Sequence, residues 1–309
     1  MIGLVSNKLQ ATQLTDSNKK SSLPKLRVRI ERANAFISSM FIRKLKTIEI
    51  LISRFEFRKK DIISEHDGRV IHVATEVGEA KLKRLADIYQ SSGKAVFLKL
   101  PHADELPQIN KAIAWNIKRV IDWLSALVIL LILSPIMLVL ASIIAGTSSG
   151  SIFFHQWRVG ENGKLFRIIK FRTMITDADK LHHLVMTGQT GLHKCEDDPR
   201  ITPVGRWMRK YSLDELPQLF NVLRGEMSLV GPRPWALYDA LRINGNGKRR
   251  LKSLPGVTGA WQVSARSTML DLDAVTECDL SYLRNWNLWS DIKILLMTVP
   301  KVLSGFGAF

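Results

Sequence analysis

The longest apolar stretch of the chain, Trp123 to Ala145 (WLSALVILLILSPIMLVLASIIA), contains no charged residue. As a helix it is long enough to cross a hydrocarbon core of about 30 Å, so the pattern predicts membrane association. Lys111, Lys118 and Arg119 precede the run, and Arg158, Lys164, Arg167 and Lys170 follow it. Basic flanks prefer the cytoplasmic side, and a re-entrant hairpin would keep both there. Such a hairpin needs a break near mid-run, which Ser134-Pro135 supplies: proline has no N–H and clashes with the preceding turn. The Ser134 hydroxyl can bond a carbonyl freed by that kink, where no water is at hand. Lys118 and Arg119 can snorkel to headgroups, with Asp122 pairing with one of them at the boundary. Prolines also occur in spanning helices, so these residues alone leave a straight span as the competing reading.

Elsewhere the periods are shorter. Leu23 to Lys60 interleaves apolar residues with Arg and Lys, as in amphipathic helices on an anionic membrane surface or a helical arm packed on the protein. Arg69–Thr75 and Ala95–Leu100 read as strands around a helix over Glu79–Ser91. No Gly-rich phosphate loop follows the first strand, so this unit is expected to be structural or regulatory and to bind no cofactor. Pro101–Gln108 reads as a linker. Beyond a break at Gly146–Ser151, strand patterns cover Ser151–His155 and Leu165–Ile169. Helical spacing covers Asp177–Met186, Pro203–Lys210 and Asp214–Arg224. Trp286–Val302 pairs two tryptophans with a sparsely charged apolar stretch, as in a helix lying in the membrane interface or a buried core helix.

Charge adds a partner class. The chain carries 45 Lys+Arg against 28 Asp+Glu, a formal net charge of +17, which calls for an anionic partner: a nucleic acid, an acidic membrane surface or a phosphorylated substrate. Cys195 and Cys278 lie far apart in no metal-like spacing, which disfavours a disulfide framework or zinc site and fits a reduced, cytoplasmic setting. The first twenty residues are polar, so no signal peptide is expected there.

The densest chemistry lies between Asp197 and Pro234 (DDPRITPVGRWMRKYSLDELPQLFNVLRGEMSLVGPRP). Ser212 before Asp214 and Glu215 looks like a helix N-terminus, where free N–H groups favour negative charge, and the acids can be read as simple caps. Adjacent carboxylates also suit magnesium, a hard cation that often bridges to substrate phosphates. Arg200, Arg206, Arg209, Arg224 and Arg233 crowd the same stretch, and arginine matches phosphate bidentately. In Gly231-Pro232-Arg233-Pro234 the prolines would hold one of these arginines in place. Acids and arginines together point to phosphoryl transfer.

In order and spacing, a set of short motifs resembles the bacterial sugar transferase family, the monotopic phosphoglycosyl transferases, from about Asn116 to Leu303. They begin with Lys118-Arg119 and Asp122, the run broken at Ser134-Pro135, Phe171-Arg172-Thr173-Met174, and Asp198-Pro199-Arg200-Ile201-Thr202. Leu213-Asp214-Glu215-Leu216-Pro217-Gln218 and Asn221-Val222-Leu223-Arg224-Gly225-Glu226-Met227-Ser228 follow. Gly231-Pro232-Arg233-Pro234 and Pro255-Gly256-Val257-Thr258-Gly259 complete the set. The family's later loop usually reads Gly-Trp-Ala-Gln-Val-Asn-Gly-Arg. Here Gly259-Ala260-Trp261-Gln262-Val263-Ser264-Ala265-Arg266 exchanges Trp and Ala and replaces Asn and Gly, which bears on nucleobase and sugar preference.

The resemblance implies an α/β, mostly helical, membrane-associated fold: a re-entrant membrane helix hairpin, a cytoplasmic catalytic domain and interfacial amphipathic helices. It divides the chain into a basic N-terminal region over 1–115 and a catalytic domain over 116–309, with the re-entrant helix over 120–145. It implies Asp214 as nucleophile on the β-phosphate of a nucleoside diphosphate sugar, a UDP-sugar by preference, and Glu215 as a ligand of Mg²⁺. Arg209, Arg233, Arg200 and Arg266 would hold phosphates. The acceptor would be undecaprenyl phosphate, at the cytoplasmic face of a bacterial inner membrane, in the first step of exopolysaccharide, capsule or O-antigen type assembly. Self-association is allowed. A transferase that moves the sugar alone would keep metal and arginines but release a nucleoside diphosphate. An inactive membrane scaffold is opposed by the intact Asp214-Glu215 pair. A nucleic-acid-binding module explains the charge but not the apolar run, and no reading motif with aromatic platforms is present, so no nucleic-acid partner is expected.

Overall fold

Alternation along short strands and one long apolar helix together organise the protein. The computed structural model describes residues 63–66, 69–100, 112–178, 198–242, 245–264 and 271–305, all within the unit Arg54–Phe309. The Leu23–Lys60 stretch, the Pro101–Gln108 linker, most of Asp177–Met186, Cys195 and Arg266 lie outside the described residues.

The first sheet has the order β1-β2-β3, from β1 (Ile63–His66), β2 (Val70–Val73) and β3 (Ala95–Leu98). β1 runs antiparallel and β3 parallel to β2. The parallel pair needs a crossover, and α1 (Glu79–Ser91) provides it. α1 buries Leu82, Leu85, Ala86 and Tyr89, the 3-4 spacing of one helical face. The expected strand–helix–strand unit is therefore present. β1 was not anticipated, because four residues carry too little alternation to stand apart from a loop.

α2 (Ala112–Thr147) is a single helix of 36 residues, about 54 Å long at 1.5 Å per residue. It continues through Pro135, and Ser134 Oγ donates to Leu131 O at 2.8 Å. Leu131 is four residues before the proline, so the hydroxyl replaces the missing backbone donor, as the sequence led us to expect. The expected break at Ser134-Pro135 is thus no interruption of the helix. One stripe of α2 is buried: Lys118, Asp122, Ala126, Met137, Leu140 and Ile144. The remaining faces expose large apolar residues, among them Val120, Leu124, Val128, Leu131, Ile132, Leu138 and Val139. A helix long and apolar enough to cross a membrane is therefore mostly uncovered by protein, its most apolar window only 17% buried.

Next comes a hairpin of β4 (Phe153–Val159) and β5 (Leu165–Phe171), with β7 (Trp235–Ala236) on the other edge of β4. α3 (Pro203–Lys210) starts with Thr202 accepting from Gly205 N and with Pro203 in the first turn, where a missing N–H costs nothing. The helix expected over Asp214–Arg224 is instead a 3-10 turn, Leu213–Glu215, followed by α4 (Gln218–Leu223). Pro217 stands between them and gives no backbone donor to continue the first turn. β6 (Ser228–Val230) pairs in parallel with β8 (Gly256–Thr258). α5 (Leu237–Arg242), α6 (Gly245–Lys248), α7 (Ala260–Ser264), α8 (Leu272–Arg284) and α9 (Leu288–Ser304) complete the order.

The main core joins Phe166, Ile168, Leu219, Val222, Leu229, Val230, Leu280, Leu283 and Trp286 with Ala126 of α2. A second cluster joins Met137, Leu140 and Ile144 of α2 with Phe171 and Met208. Both halves of α2 therefore seat on one body. At its start Trp115 meets Trp286 edge-on at 4.9 Å.

Lys118 does not reach outward. It is 2% exposed, with Nζ 3.0 Å from Asp122 Oδ2 and 2.8 Å from Asp291 Oδ2. A buried ammonium requires such partners, and Asp291 lies on α9 in a position that local sequence does not reveal. Ser228 Oγ donates to Asp122, and Tyr282 OH and Trp286 Nε1 donate to Asp291. Arg119 pairs with Glu161 at 2.6 Å. α9 exposes Trp289, Ile292, Leu296, Val299 and Leu303 while burying Asp291 and Ile294, so it is not a buried core helix.

Candidate functional site

Residues opposite each other in an antiparallel pair share a face. Gln156 lies opposite Ile168, Arg158 opposite Phe166, and Phe154 opposite Lys170. One face of the hairpin therefore carries Arg158 and Lys170 among apolar neighbours. That face lines a pocket completed by Glu215, Gln218, Arg233 and the start of β8.

The 3-10 turn brings Glu215 to it, with Asp214 buried alongside. Ser212, just before the turn, has φ 52 and ψ 23, a left-handed conformation that side chains other than glycine seldom adopt. Its side chain makes no cap hydrogen bond to the turn, so it is not the ordinary helix N-cap that its position in the sequence resembles. Strain of this kind persists where the surroundings over-determine it, often at functional sites. The turn buries Asp214 and leaves Glu215 at the pocket wall.

Glu215 Oε1 receives Lys170 Nζ at 2.8 Å and Arg233 NH2 at 3.3 Å. Burial pushes the Asp214 carboxyl above the ordinary aspartate value, and Glu215 adds to that, while Lys170, Arg209 and Arg233 pull the other way. Burial also lowers the Lys170 ammonium, with Glu215 raising it and Arg233 and Arg158 lowering it further. The Arg158 guanidinium is pushed down to about 10 by burial first and by Arg233 second. Arg209 Nε donates to Thr173 Oγ1 at 2.9 Å, and its pKa too is lowered by burial. Four cations thus surround two carboxylates, a surplus suited to an anion with more than one charge.

Arg233 stands on a pinned loop. Gly231 N donates to Thr258 O at 2.9 Å and Gly256 N to Pro232 O at 2.8 Å. A Cβ on Gly256 would lie 2.1 Å from Gly231 N, so this backbone crossing excludes a side chain. Arg250 NH2 donates to Arg233 O at 2.9 Å, bonds Asp279, and places its guanidinium 4.0 Å from the Trp235 ring centroid.

Of the residues anticipated, Asp214, Glu215, Arg209 and Arg233 come together. Arg200 is buried in a two-pronged pair with Asp198, Nε to Oδ1 at 2.8 Å and NH2 to Oδ2 at 2.6 Å, close enough to Arg209 to influence its charge. Arg266 lies outside the described residues. Lys170 and Arg158 were anticipated only as flanking positive charge. The overlooked signal was strand parity: Lys170 falls in step with Phe166 and Ile168 on the apolar face of β5, where an unpaired charge would be costly.

Among the described residues no group of three or more His, Cys, Asp or Glu could hold a metal ion. The two neighbouring carboxylates nevertheless fit magnesium, which commonly takes one or two carboxylates and completes its shell with water and substrate phosphate.

Residues 113–305 match the family described as bacterial sugar transferase. The galactosyl transferase CpsE of Streptococcus agalactiae serotype III is 46% identical over 194 residues, 62% of this chain and 43% of that protein. The exopolysaccharide production protein ExoY of Sinorhizobium fredii is 39% identical over 202 residues, 62% of this chain and 88% of that protein. The undecaprenyl-phosphate galactose phosphotransferase of Salmonella typhimurium is 42% identical over 200 residues, 62% of this chain and 42% of that protein. The chain thus spans less than half the length of the first and third of these relatives.

Proposed function

The chain belongs to the bacterial sugar transferase family, and we propose that it moves a sugar phosphate from a UDP-sugar to undecaprenyl phosphate. The observation that carries this reading is the buried Asp214 carboxylate, held beside Glu215 and faced by Lys170, Arg209 and Arg233. A carboxylate so placed can act as a nucleophile towards phosphorus: the cations oppose the effect of burial on its charge and neutralise the incoming diphosphate.

In the first half-reaction an Asp214 carboxylate oxygen attacks the β-phosphorus of the donor. The bond from that phosphorus to the bridging oxygen breaks, and UMP leaves with the electron pair. In the second, an oxygen of the lipid phosphate attacks the same phosphorus. The phosphorus–oxygen bond to Asp214 breaks, which restores the carboxylate and yields a lipid-linked sugar diphosphate. Arg209 and Arg233 bind phosphate oxygens through the transfer. Glu215 would hold Mg²⁺, whose contribution is to neutralise charge on the diphosphate and its leaving group.

The acceptor is a lipid, so the reaction centre must lie near a membrane surface. The exposed apolar faces of α2 and α9 support that location. α2 is read as a re-entrant helix that enters and leaves by one leaflet and keeps the catalytic body on the cytoplasmic face of a bacterial inner membrane. Support comes from its packing. Ala126, Ile129 and Leu130 before Pro135 and Met137, Leu140 and Ile144 after it all pack on the same body, while Leu131, Ile132 and Ile136 stay exposed. The relatives named for exopolysaccharide production and undecaprenyl-phosphate galactose transfer support a place at the start of exopolysaccharide, capsule or O-antigen type assembly.

The test is nucleotide release by membrane-embedded protein given a panel of UDP-sugars, Mg²⁺ and undecaprenyl phosphate. UMP together with lipid-linked sugar diphosphate is expected. UDP in its place would mean transfer of the sugar alone, and absence of release across the panel would mean a scaffold.

A further inference from the structure

Glu215 is the residue assigned to the metal, yet its Oε1 is shared by Lys170 and Arg233. Arg158 acts on the same carboxylate through space. A divalent cation arriving alone would have to enter beside three positive groups. Among the described residues no cluster of three or more potential ligands is ready to outbid them. A diphosphate changes this balance, because it brings negative charge for the protein cations and oxygen ligands for the metal.

The cations differ in their freedom to respond. Arg233 stands on the loop pinned by Gly231, Gly256 and Arg250. Lys170 ends in a compact charge with three donors on a flexible four-carbon stem, suited to exchanging one anionic partner for another. Its side chain is mostly buried, 16% exposed, beside Arg233 and Arg158, with Glu215 as its ion-pair partner.

We propose that Lys170 is a donor-phosphate ligand that occupies Glu215 until the donor arrives. Without donor it neutralises the carboxylate. When a nucleoside diphosphate sugar enters, the ammonium passes to a diphosphate oxygen and Glu215 is released to the metal. Metal and donor then bind as a coupled pair, and by linkage each tightens the other by the same factor. The inference rests on the proposed transfer reaction and adds to it a residue and an order of events.

The experiment uses the full chain in nanodiscs carrying Asp214→Asn, so that binding is read without transfer. Mn²⁺ serves as the magnetic probe, titrated by electron paramagnetic resonance alone and with each of a panel of UDP-sugars. Mn²⁺ affinity is expected to rise about tenfold or more with a UDP-sugar that binds, within the usual range of coupling. Adding Lys170→Met should strengthen Mn²⁺ binding without donor, weaken the UDP-sugar and shrink the coupling below about threefold. Lys170→Arg, which keeps the charge, should retain weak donor-free Mn²⁺ binding and so separate charge from packing. If Mn²⁺ and UDP-sugar bind independently in the parent, the inference falls while the transfer reaction stands. It falls likewise if Lys170→Met changes neither donor-free affinity nor coupling. If no UDP-sugar in the panel binds, the transfer reading falls with it. Should Lys170→Met fail to fold, Lys170→Gln decides by the same two readouts, donor-free Mn²⁺ affinity and the size of the coupling.

Discussion

A buried carboxylate can serve the fold or the chemistry, and Asp198 and Asp214 illustrate the two uses sixteen positions apart. Hydrogen bonds from the Arg200 side chain hold Asp198 below the ordinary aspartate value, against the opposing pull of burial. A group with a lowered folded-state pKa stabilises above its unfolded value, and that stability is lost as pH falls through the folded one. Arg200→Ala should therefore cost about 3–5 kcal/mol at neutral pH, the usual cost of leaving one partner buried. It should also remove the loss of stability below the ordinary aspartate range, as thermal unfolding against pH would register. Asp214→Asn should leave the fold intact and lower UMP release by about a thousandfold or more, as loss of a nucleophile does; retained release would remove Asp214 from that role. Arg233→Ala should raise the KM for the nucleotide sugar or lower turnover, and unaltered kinetics would end its assignment to phosphate. The acids and two of the arginines were legible because they cluster in one stretch. That Arg200 would be taken up by Asp198 was not, since sequence alone does not tell a phosphate-binding arginine from one bound to a neighbouring carboxylate.

Among the elements, local pattern served best where the repeat was long or a terminal signal was clear. α3 starts at Thr202-Pro203, both recognisable start residues. The helix expected over Asp214–Arg224 ran past Pro217, and the true break there is what sets Glu215 at the pocket wall beside the buried Asp214. For α2 the apolar run was plain, but the turning inward of Lys118 depends on Asp291, 173 positions away in the chain. Lys118→Met would leave Asp122 and Asp291 buried without their cation. It should destabilise the protein by about 3–5 kcal/mol, visible as a lower midpoint for thermal unfolding in detergent. A loss under about 1 kcal/mol, typical of an exposed pair, would show that Lys118 is solvated in the membrane-bound protein.

For the molecule as a whole, the arrangement of parts depends on contacts that no local period encodes. Asp87 of α1 accepts from Trp157 Nε1 at 2.8 Å and from Arg167 at 2.6 Å, which fastens the small β1–β3 unit to the hairpin that bears Arg158 and Lys170. The sequence pattern identified that unit but not where it docks. Replacing Trp289 and Leu296, both strongly exposed on α9, by serine should shift the protein from lipid vesicles towards solution in a flotation assay while leaving thermal unfolding in detergent unchanged. An unchanged partition would assign the membrane contact to α2 alone.

The seating of α2 on one body at both of its ends also bears on bilayer thickness. A helix that must emerge on the far side is subject to hydrophobic mismatch and responds to acyl chains that are too short or too long. A helix that dips in and returns has no opposite boundary to match. On the proposed re-entrant reading, lipids differing only in chain length should support similar turnover, while changes in headgroup packing, which govern entry from one leaflet, should be felt; turnover that follows chain length would indicate a spanning helix.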